Sequence, residues 1–182
     1  MKKPNAIPTR RSILGIFGAG GLVTMQAAAN QKKTVKIAQF DKAGHATGVV
    51  EVDRIVKTDA EWRKQLSANA YEVARHKGTE RAFMNSFHDN HRDGLYSCVC
   101  CGTMLFDSKT KFDSGTGWPS FWAPIAKENV TVGTDLSLGM ARDEVSCARC
   151  DGHLGHVFDD GPRPTGKRYC MNSASLVFTA RG

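Results

Sequence analysis

No run of about 18 apolar residues occurs anywhere in the chain, so nothing in it reads as a helix that would span a bilayer permanently. There is no cysteine before Cys98, no acidic residue among the first 29, no internal repeat and no low-complexity tract. Six cysteines over 182 residues are too few for a disulfide scaffold. An apolar content of 41% with 24% charged residues excludes a disordered tail protein and a collagen-like one, and permits one domain with a core of ordinary size, with or without appendages. The net charge of +7 is unevenly placed, because Lys2, Lys3, Arg10 and Arg11 fall in the acid-free first 29 residues. Without that stretch 21 basic residues face 18 acidic ones, and the remaining +3 is too mild to argue for a nucleic-acid partner.

Residues 1–29 do not read as fold. Thr9-Arg10-Arg11-Ser12-Ile13-Leu14 carries a twin arginine, Ile13 to Met25 is mildly apolar and Gly-rich, and Ala27-Ala28-Ala29 offers a small-x-small cleavage pattern. Together they resemble a bacterial twin-arginine export signal. The alternative is a disordered N-terminus with a chance arginine pair. The export reading places the mature chain in the periplasm or otherwise outside the cytoplasm, soluble once the signal is removed. The lack of an early cysteine leaves no residue for a lipoprotein anchor.

Residues 30–57 read as an N-terminal extension. Val35, Ile37, the run Val49 to Val52, and Ile55-Val56 alternate loosely around Gly44 and Gly48, which predicts a β-hairpin. Residues 58–182 read as the main domain. Thr58-Asp59-Ala60-Glu61 has the form of a capping box, so a short helix should bury Trp62 and Leu66. Ser67 is placed to cap a second helix that ends near His76, with Gly78 as its stop. After Gly94 short β-type runs alternate with turns: 95–97, 104–106, 130–132, 144–146, 156–158 and 175–179. The pattern predicts a mainly β domain of small antiparallel sheets joined by long loops, with two short helices before it.

Cys98-x-x-Cys101 and Cys147-x-x-Cys150 form two matched pairs. A CxxC turn aims two thiolates at one tetrahedral metal, and two such turns complete a shell. The pairs are too far apart for a simple zinc ribbon, so tertiary structure must bring them together. A redox pair, or disulfides in an exported protein, are the competing readings. The doubled motif favours one structural Zn2+, whose closed four-sulfur shell would leave no position for substrate. Cys100 is either an inert extra thiol or a partner for another cysteine.

Cys170 stands in Arg168-Tyr169-Cys170-Met171-Asn172. On a strand, Arg168, Cys170 and Asn172 share one face, and a cation beside a thiol favours the nucleophilic thiolate. An inert buried cysteine is the competing reading. His153 and His156, three apart and upstream of Cys170, suit a general acid, a metal site or loop packing.

Three strings combine with the second cysteine pair: Lys111 to Phe121 (KFDSGTGWPSF), His153-Leu154-Gly155-His156-Val157-Phe158, and Gly161 to Ser173 with Arg168, Cys170 and Asn172 inside it. In this order they resemble the methionine-R-sulfoxide reductase family of the B type, over roughly Thr58 to Phe178. The resemblance implies two antiparallel sheets with small flanking helices, and reduction of methionine-R-sulfoxide to methionine. It implies Cys170 as the nucleophile that becomes a sulfenic acid. His153, His156, Arg168 and Asn172 fall at the family's other catalytic positions, and Trp118 and Phe121 at substrate contacts. Cys98, Cys101, Cys147 and Cys150 match its zinc set. Oxidised proteins or peptides are the implied substrate, and a thioredoxin-like or other thiol the implied reductant. One departure stands out: Thr116 occupies the position where many members carry a recycling cysteine. Either Cys100 replaces that cysteine or an external thiol attacks the sulfenic acid. A zinc-ribbon binding module would explain the four paired cysteines but not Cys170, the histidine pair or the Trp118-Pro119 loop. A thiol–disulfide exchanger would require one of the CxxC pairs to be redox-active.

Overall fold

In the computed structural model the described residues are 33–135 and 142–181. The arginine pair and the alanine cleavage pattern lie outside them.

Residues 34–53 form a ribbon. β1 (Thr34–Phe40) pairs antiparallel with β2 (Ala46–Asp53), from Thr34 opposite Asp53 to Phe40 opposite Ala46. Gly44 takes a left-handed φ of 85° in the connecting turn, which a glycine adopts without steric cost. A two-stranded ribbon is marginal alone, and this one buries only Ile37 and Ala38 from its strands. It is held by Asn129, fully buried, whose amide oxygen accepts from the Ala38 N–H at 2.8 Å and whose amide nitrogen donates to the Ala38 carbonyl at 2.9 Å. That amide does what a neighbouring strand would do, satisfying both backbone groups of one residue. The Ile55 N–H donates to the Arg149 carbonyl at 2.9 Å, and Arg54 pairs with Asp151.

α1 (Asp59–Gln65) begins as the capping box requires: Thr58 accepts from the Glu61 N–H, and the Glu61 carboxylate accepts from the Thr58 N–H at 2.8 Å. Asp59 and Glu61 in the first turn and Arg63 and Lys64 in the last suit the helix dipole. Trp62 and Leu66 are buried. α2 (Ala68–His76) is capped by Ser67 on the Ala70 N–H. Its stop differs from the expected one. Lys77, not Gly78, takes the left-handed conformation, with φ 57°. Gly78 donates to the Glu72 carbonyl at 3.1 Å and passes so close that a Cβ would crowd that oxygen.

Two antiparallel sheets follow. β3 (Gly94–Cys98), β4 (Met104–Asp107) and β11 (Leu176–Ala180) form a three-stranded sheet in the order β11-β3-β4. β5 (Lys111–Phe112), β6 (Ser120–Phe121), β7 (Val130–Asp135), β8 (Arg142–Cys147), β9 (His153–Phe158) and β10 (Arg168–Met171) form a six-stranded sheet in the order β5-β6-β10-β9-β8-β7. The mainly β architecture with two leading helices is the expected one. Each of the six expected β runs falls in a strand, except that Ser175 closes a 3-10 turn, Ser173–Ser175, just before β11. β5 and β6, two residues each, carry no periodicity and were not among those runs.

Tyr96, Leu105, Phe106, Phe121, Leu154 and Met171 pack together as fully buried core. Phe121 corrects an expectation. It was assigned to substrate contact, but its ring stacks on Phe106 at 4.4 Å and meets Tyr96 edge-on at 5.1 Å. Neighbouring side chains on a strand point to opposite faces, so with Ser120 on the Cys170 side Phe121 must enter the core.

Candidate active site and metal centre

The two cysteine pairs lie on matching knuckles. Cys98 ends β3, and its N–H donates to the Thr103 carbonyl at 2.8 Å, while Gly102 donates back to the Cys98 carbonyl at 2.8 Å. Cys147 ends β8, and the same two bonds recur at 2.9 Å from Cys147 to Gly152 and from Asp151 to Cys147. The fifth residue of each knuckle is left-handed: Gly102 at φ 74° and Asp151 at φ 55°. Aspartate is among the few non-glycine residues that tolerate this region.

The four sulfurs converge. Cys98 and Cys150 lie 3.6 Å apart, Cys101 and Cys147 3.5 Å apart, and all four ligand atoms lie within 4.8 Å of one another. A tetrahedral ion with metal–sulfur bonds of about 2.3 Å requires sulfurs about 3.8 Å apart. The set therefore fits a four-thiolate metal centre, and no disulfide joins any of these cysteines. Cys100 belongs to this neighbourhood. It is buried, and both its sulfur and that of Cys150 lie within 3.4 Å of where a Cβ on Gly152 would stand. The fold thus brings Cys100 to the metal cluster, not to Cys170.

Cys170 sits in a row that crosses the whole six-stranded sheet. Phe112 faces Ser120, Ser120 faces Cys170, Cys170 faces His156, His156 faces Glu144 and Glu144 faces Gly133. Directly paired residues on neighbouring antiparallel strands share a face, with Cβ atoms about 5 Å apart. The row therefore sets a thiol between a hydroxyl and an imidazole, with a carboxylate next in line.

His153 should face the other way, being an odd number of residues from His156. A bulge corrects this. Val145 pairs with Gly155 but Ser146 pairs with His153, so β9 carries one extra residue. The two imidazoles come together at 5.4 Å between centroids. Gly155, inside the bulge, lets β10 approach: a Cβ there would fall 2.1 Å from the Cys170 carbonyl oxygen.

His153 is buried, and its Nδ1 lies 2.8 Å from the Glu144 carboxylate. That bond places the proton on Nδ1 and leaves Nε2 as a lone pair, which has no hydrogen-bond partner among the described residues. Burial pushes the His153 pKa down, against the pull of Glu144, so the ring is held neutral. Burial works to raise the Glu144 pKa, but its bonds to Lys77 and His153 outweigh that and lower it.

The electrostatics of Cys170 differ from the simple expectation. Burial pushes the thiol above its ordinary range, and this outweighs the lowering by Thr116, Arg168 and Ser120. Arg168 is also not a free cation. Its guanidinium makes a two-pronged bond to Asp160, at 2.8 Å on both prongs, and lies 4.4 Å over the Phe158 ring. The Thr116 hydroxyl stands 3.9 Å from the Cys170 sulfur. Ser114 links to both Thr116 and Ser120, at 2.8 and 2.7 Å.

Asn172 does not follow the expected alternation either. β10 ends at Met171, and the fully formed side-chain bonds of Asn172 run elsewhere: its amide donates to the Leu154 carbonyl at 3.2 Å and accepts from the Glu80 N–H at 3.1 Å. These bonds fix the end of β10, two residues after the thiol. Trp118 is half-buried, and its indole N–H donates to the Glu80 carbonyl at 3.0 Å.

Glu80 was missed in the sequence. Its N–H holds Asn172, its carbonyl holds Trp118, and its carboxylate accepts from the Ala174 N–H at 2.9 Å and from the Ser173 N–H. An acceptor at the exposed N–H groups of a helical turn is a cap. No local pattern announces it, because every partner lies more than 35 residues away.

Fold and site define a class: a mainly β protein with a four-cysteine metal-type cluster and, apart from it, one cysteine set in a row with serine, histidine and glutamate. The chain belongs to the SelR domain family, which matches residues 66–180. This bears out the resemblance read from its motifs. It is 58% identical over 127 residues to a peptide methionine sulfoxide reductase MsrB of Hahella chejuensis, covering 70% of this chain and 91% of that protein. It is 54% identical over 128 residues to the MsrB of Herminiimonas arsenicoxydans, covering 93% of that protein. It is 62% identical over 120 residues to the chloroplastic peptide methionine sulfoxide reductase B1 of Oryza sativa subsp. japonica, covering 56% of that protein. The β1–β2 ribbon precedes the family match.

Proposed function

We propose that this protein is a peptide-methionine (R)-S-oxide reductase that repairs oxidised proteins, with Cys170 as its nucleophile. The observation that carries the reading is the Ser120–Cys170–His156–Glu144 row, in a chain of this family.

The chemistry follows from the row. The Cys170 sulfur attacks the sulfoxide sulfur while the sulfoxide oxygen takes up a proton. The sulfur–oxygen bond to methionine breaks, the oxygen passes to the Cys170 sulfur as a sulfenic acid, and the sulfur–sulfur bond formed in the attack breaks with its electron pair on the departing methionine. His156, half-buried and directly across from Cys170, is the proton donor in this reading, with the Glu144–His153 pair behind it. Because burial favours the neutral thiol, ionisation is coupled to substrate binding, with Arg168 and the Thr116 hydroxyl supporting the thiolate. Trp118 offers an apolar face to the S-methyl group.

Recycling is then external. Thr116 cannot form a disulfide, and Cys100 is packed against the metal cluster, so a thioredoxin-like or small thiol attacks the sulfenic acid and releases water. A second thiol frees Cys170. The four paired cysteines would hold Zn2+, which in a closed thiolate shell supplies folding free energy and no open coordination position.

Export belongs to the same proposal and rests on the leader motifs: a folded, metal-loaded chain leaves by the twin-arginine route and works in the periplasm. Replacing Arg10 and Arg11 by Lys should retain the protein in the cytoplasm, and unchanged export would remove this part.

The central test is single turnover with separated sulfoxide epimers and no added reductant. Wild-type protein should yield one methionine per chain from the R epimer, with a trappable sulfenic acid at Cys170. Cys170→Ser should yield none while keeping its metal content and thermal transition. Methionine formation near the wild-type rate in Cys170→Ser would sink the reading.

A further inference from the structure

Among the described residues three non-glycine positions have a left-handed backbone: Lys77, Asp151 and Phe83. Lys77 ends a helix and Asp151 completes a metal knuckle. Phe83, at φ 62°, serves neither purpose. A bulky aromatic in this region is strained, and such strain persists only where surrounding contacts impose it. Here the Phe83 N–H donates to the Gly117 carbonyl at 2.9 Å, and the Asn85 amide donates to the same oxygen at 2.6 Å.

The strain does not bury the ring. Phe83 is 60% exposed, and Met84 beside it 74%. The ring instead lies flat against the active loop: a Cβ on Gly117 would stand 2.7 Å from it. His88 meets the same ring edge-on at 5.9 Å. Gly117 is the link between Thr116, whose hydroxyl is 3.9 Å from the Cys170 sulfur, and Trp118. The exposed Phe83 ring thus packs on the residue that joins these two. The residue it packs on, Gly117, is one residue, about 3.8 Å of chain, from Thr116, whose side chain faces Cys170. That step is the spacing of neighbouring residues in an extended peptide.

We propose that Phe83, with Met84, contacts an apolar side chain adjacent to the oxidised methionine in a substrate polypeptide, and so biases the enzyme towards oxidised methionines in apolar sequence surroundings. This rests on the reductase reading above. It accounts for both anomalies at once: the backbone is held in a costly conformation that keeps an aromatic face in solvent, packed on Gly117 next to Thr116 and Trp118 in the chain.

The test uses the full metal-containing protein with dithiothreitol as reductant, so that docking of a protein reductant does not enter. The readout is the ratio of kcat/KM for a short peptide with methionine-R-sulfoxide flanked by leucine to that for the same peptide flanked by glycine. Wild type should prefer the leucine peptide. In Phe83→Gly, which adopts the left-handed backbone freely, the ratio should fall about five- to tenfold, within the range set by partial loss of an apolar pocket contact. Phe83→Tyr keeps the ring and should keep the ratio. An unchanged ratio in Phe83→Gly, or an equal loss on both peptides, would overturn the proposal, the latter by pointing to loop support alone. Loss of the ratio in Phe83→Tyr would also overturn it. A wild-type protein inactive on both peptides would remove the reductase reading itself, and this inference with it.

Discussion

At the scale of single residues, the thiol at position 170 is governed by two opposed effects. Burial favours the neutral form, and Arg168 with two hydroxyls favours the thiolate, but burial wins. Alkylation of Cys170 by iodoacetamide in the substrate-free protein should therefore keep rising with pH beyond the ordinary thiol range. Removing the Arg168 charge, as in Arg168→Met, should move that profile to still higher pH, because a lost cation no longer offsets burial. A plateau reached below pH 8 would contradict this balance. The histidines separate by role. His156→Ala should slow single-turnover methionine formation by roughly 100-fold, the scale of a lost general acid. His153→Ala should cost less, since it acts through position and leaves Glu144 bonded to Lys77. Quenched-flow analysis of the two variants at neutral pH checks the order, and equal normal rates in both would place the acid elsewhere.

At the scale of elements, one buried side chain fastens the middle of the N-terminal ribbon. Asn129 satisfies both backbone groups of Ala38 and also donates to the Met104 carbonyl at 2.7 Å. Asn129→Leu leaves these three groups unpaired, at about 1–3 kcal/mol each, so stability should fall by at least about 3 kcal/mol. Urea unfolding gives the loss. Limited proteolysis should then cut first within the ribbon, and a variant that resists cleavage there as wild type does would show that the Arg54–Asp151 and Ile55–Arg149 contacts suffice. The bulge in β9 is the other decisive element. It turns an odd spacing into a shared face, and it works only because Gly155 lets the Cys170 carbonyl come close.

At the scale of the whole molecule, the four-cysteine cluster joins the two sheets. One knuckle ends β3 of the three-stranded sheet and the other ends β8 of the six-stranded sheet. Metal binding to such a site is coupled to folding. Freshly purified protein should hold one zinc per chain by atomic absorption. Removing it with a chelator, or replacing Cys147 by Ala, should lower the thermal transition and the solubility together. Active, stable protein with a metal content near zero would exclude the structural role. Since no metal ligand lies in the Cys170 row, the loss of activity on chelation should track the loss of folded protein measured by circular dichroism.

Several features were decided locally and were therefore legible in the sequence. The capping box at Thr58 and Glu61, the burial of Trp62, the strands β3, β4, β7, β8, β9 and β11 and the two CxxC pairs depend on residues within one turn or one strand of each other. The family strings around Trp118, His153 and Cys170 were likewise readable as linear text. What only tertiary structure decided came from contacts distant in the chain. Phe121 entered the core because Ser120 had to face Cys170 across β6 and β10. Asn172 turned to Glu80 and Leu154 because β10 ends one residue before it. Cys100 was claimed by the four-cysteine cluster once the two knuckles, with 45 residues between them, closed on each other. The height of the Cys170 pKa was set by burial, a property of the packed sheets that no spacing of residues encodes.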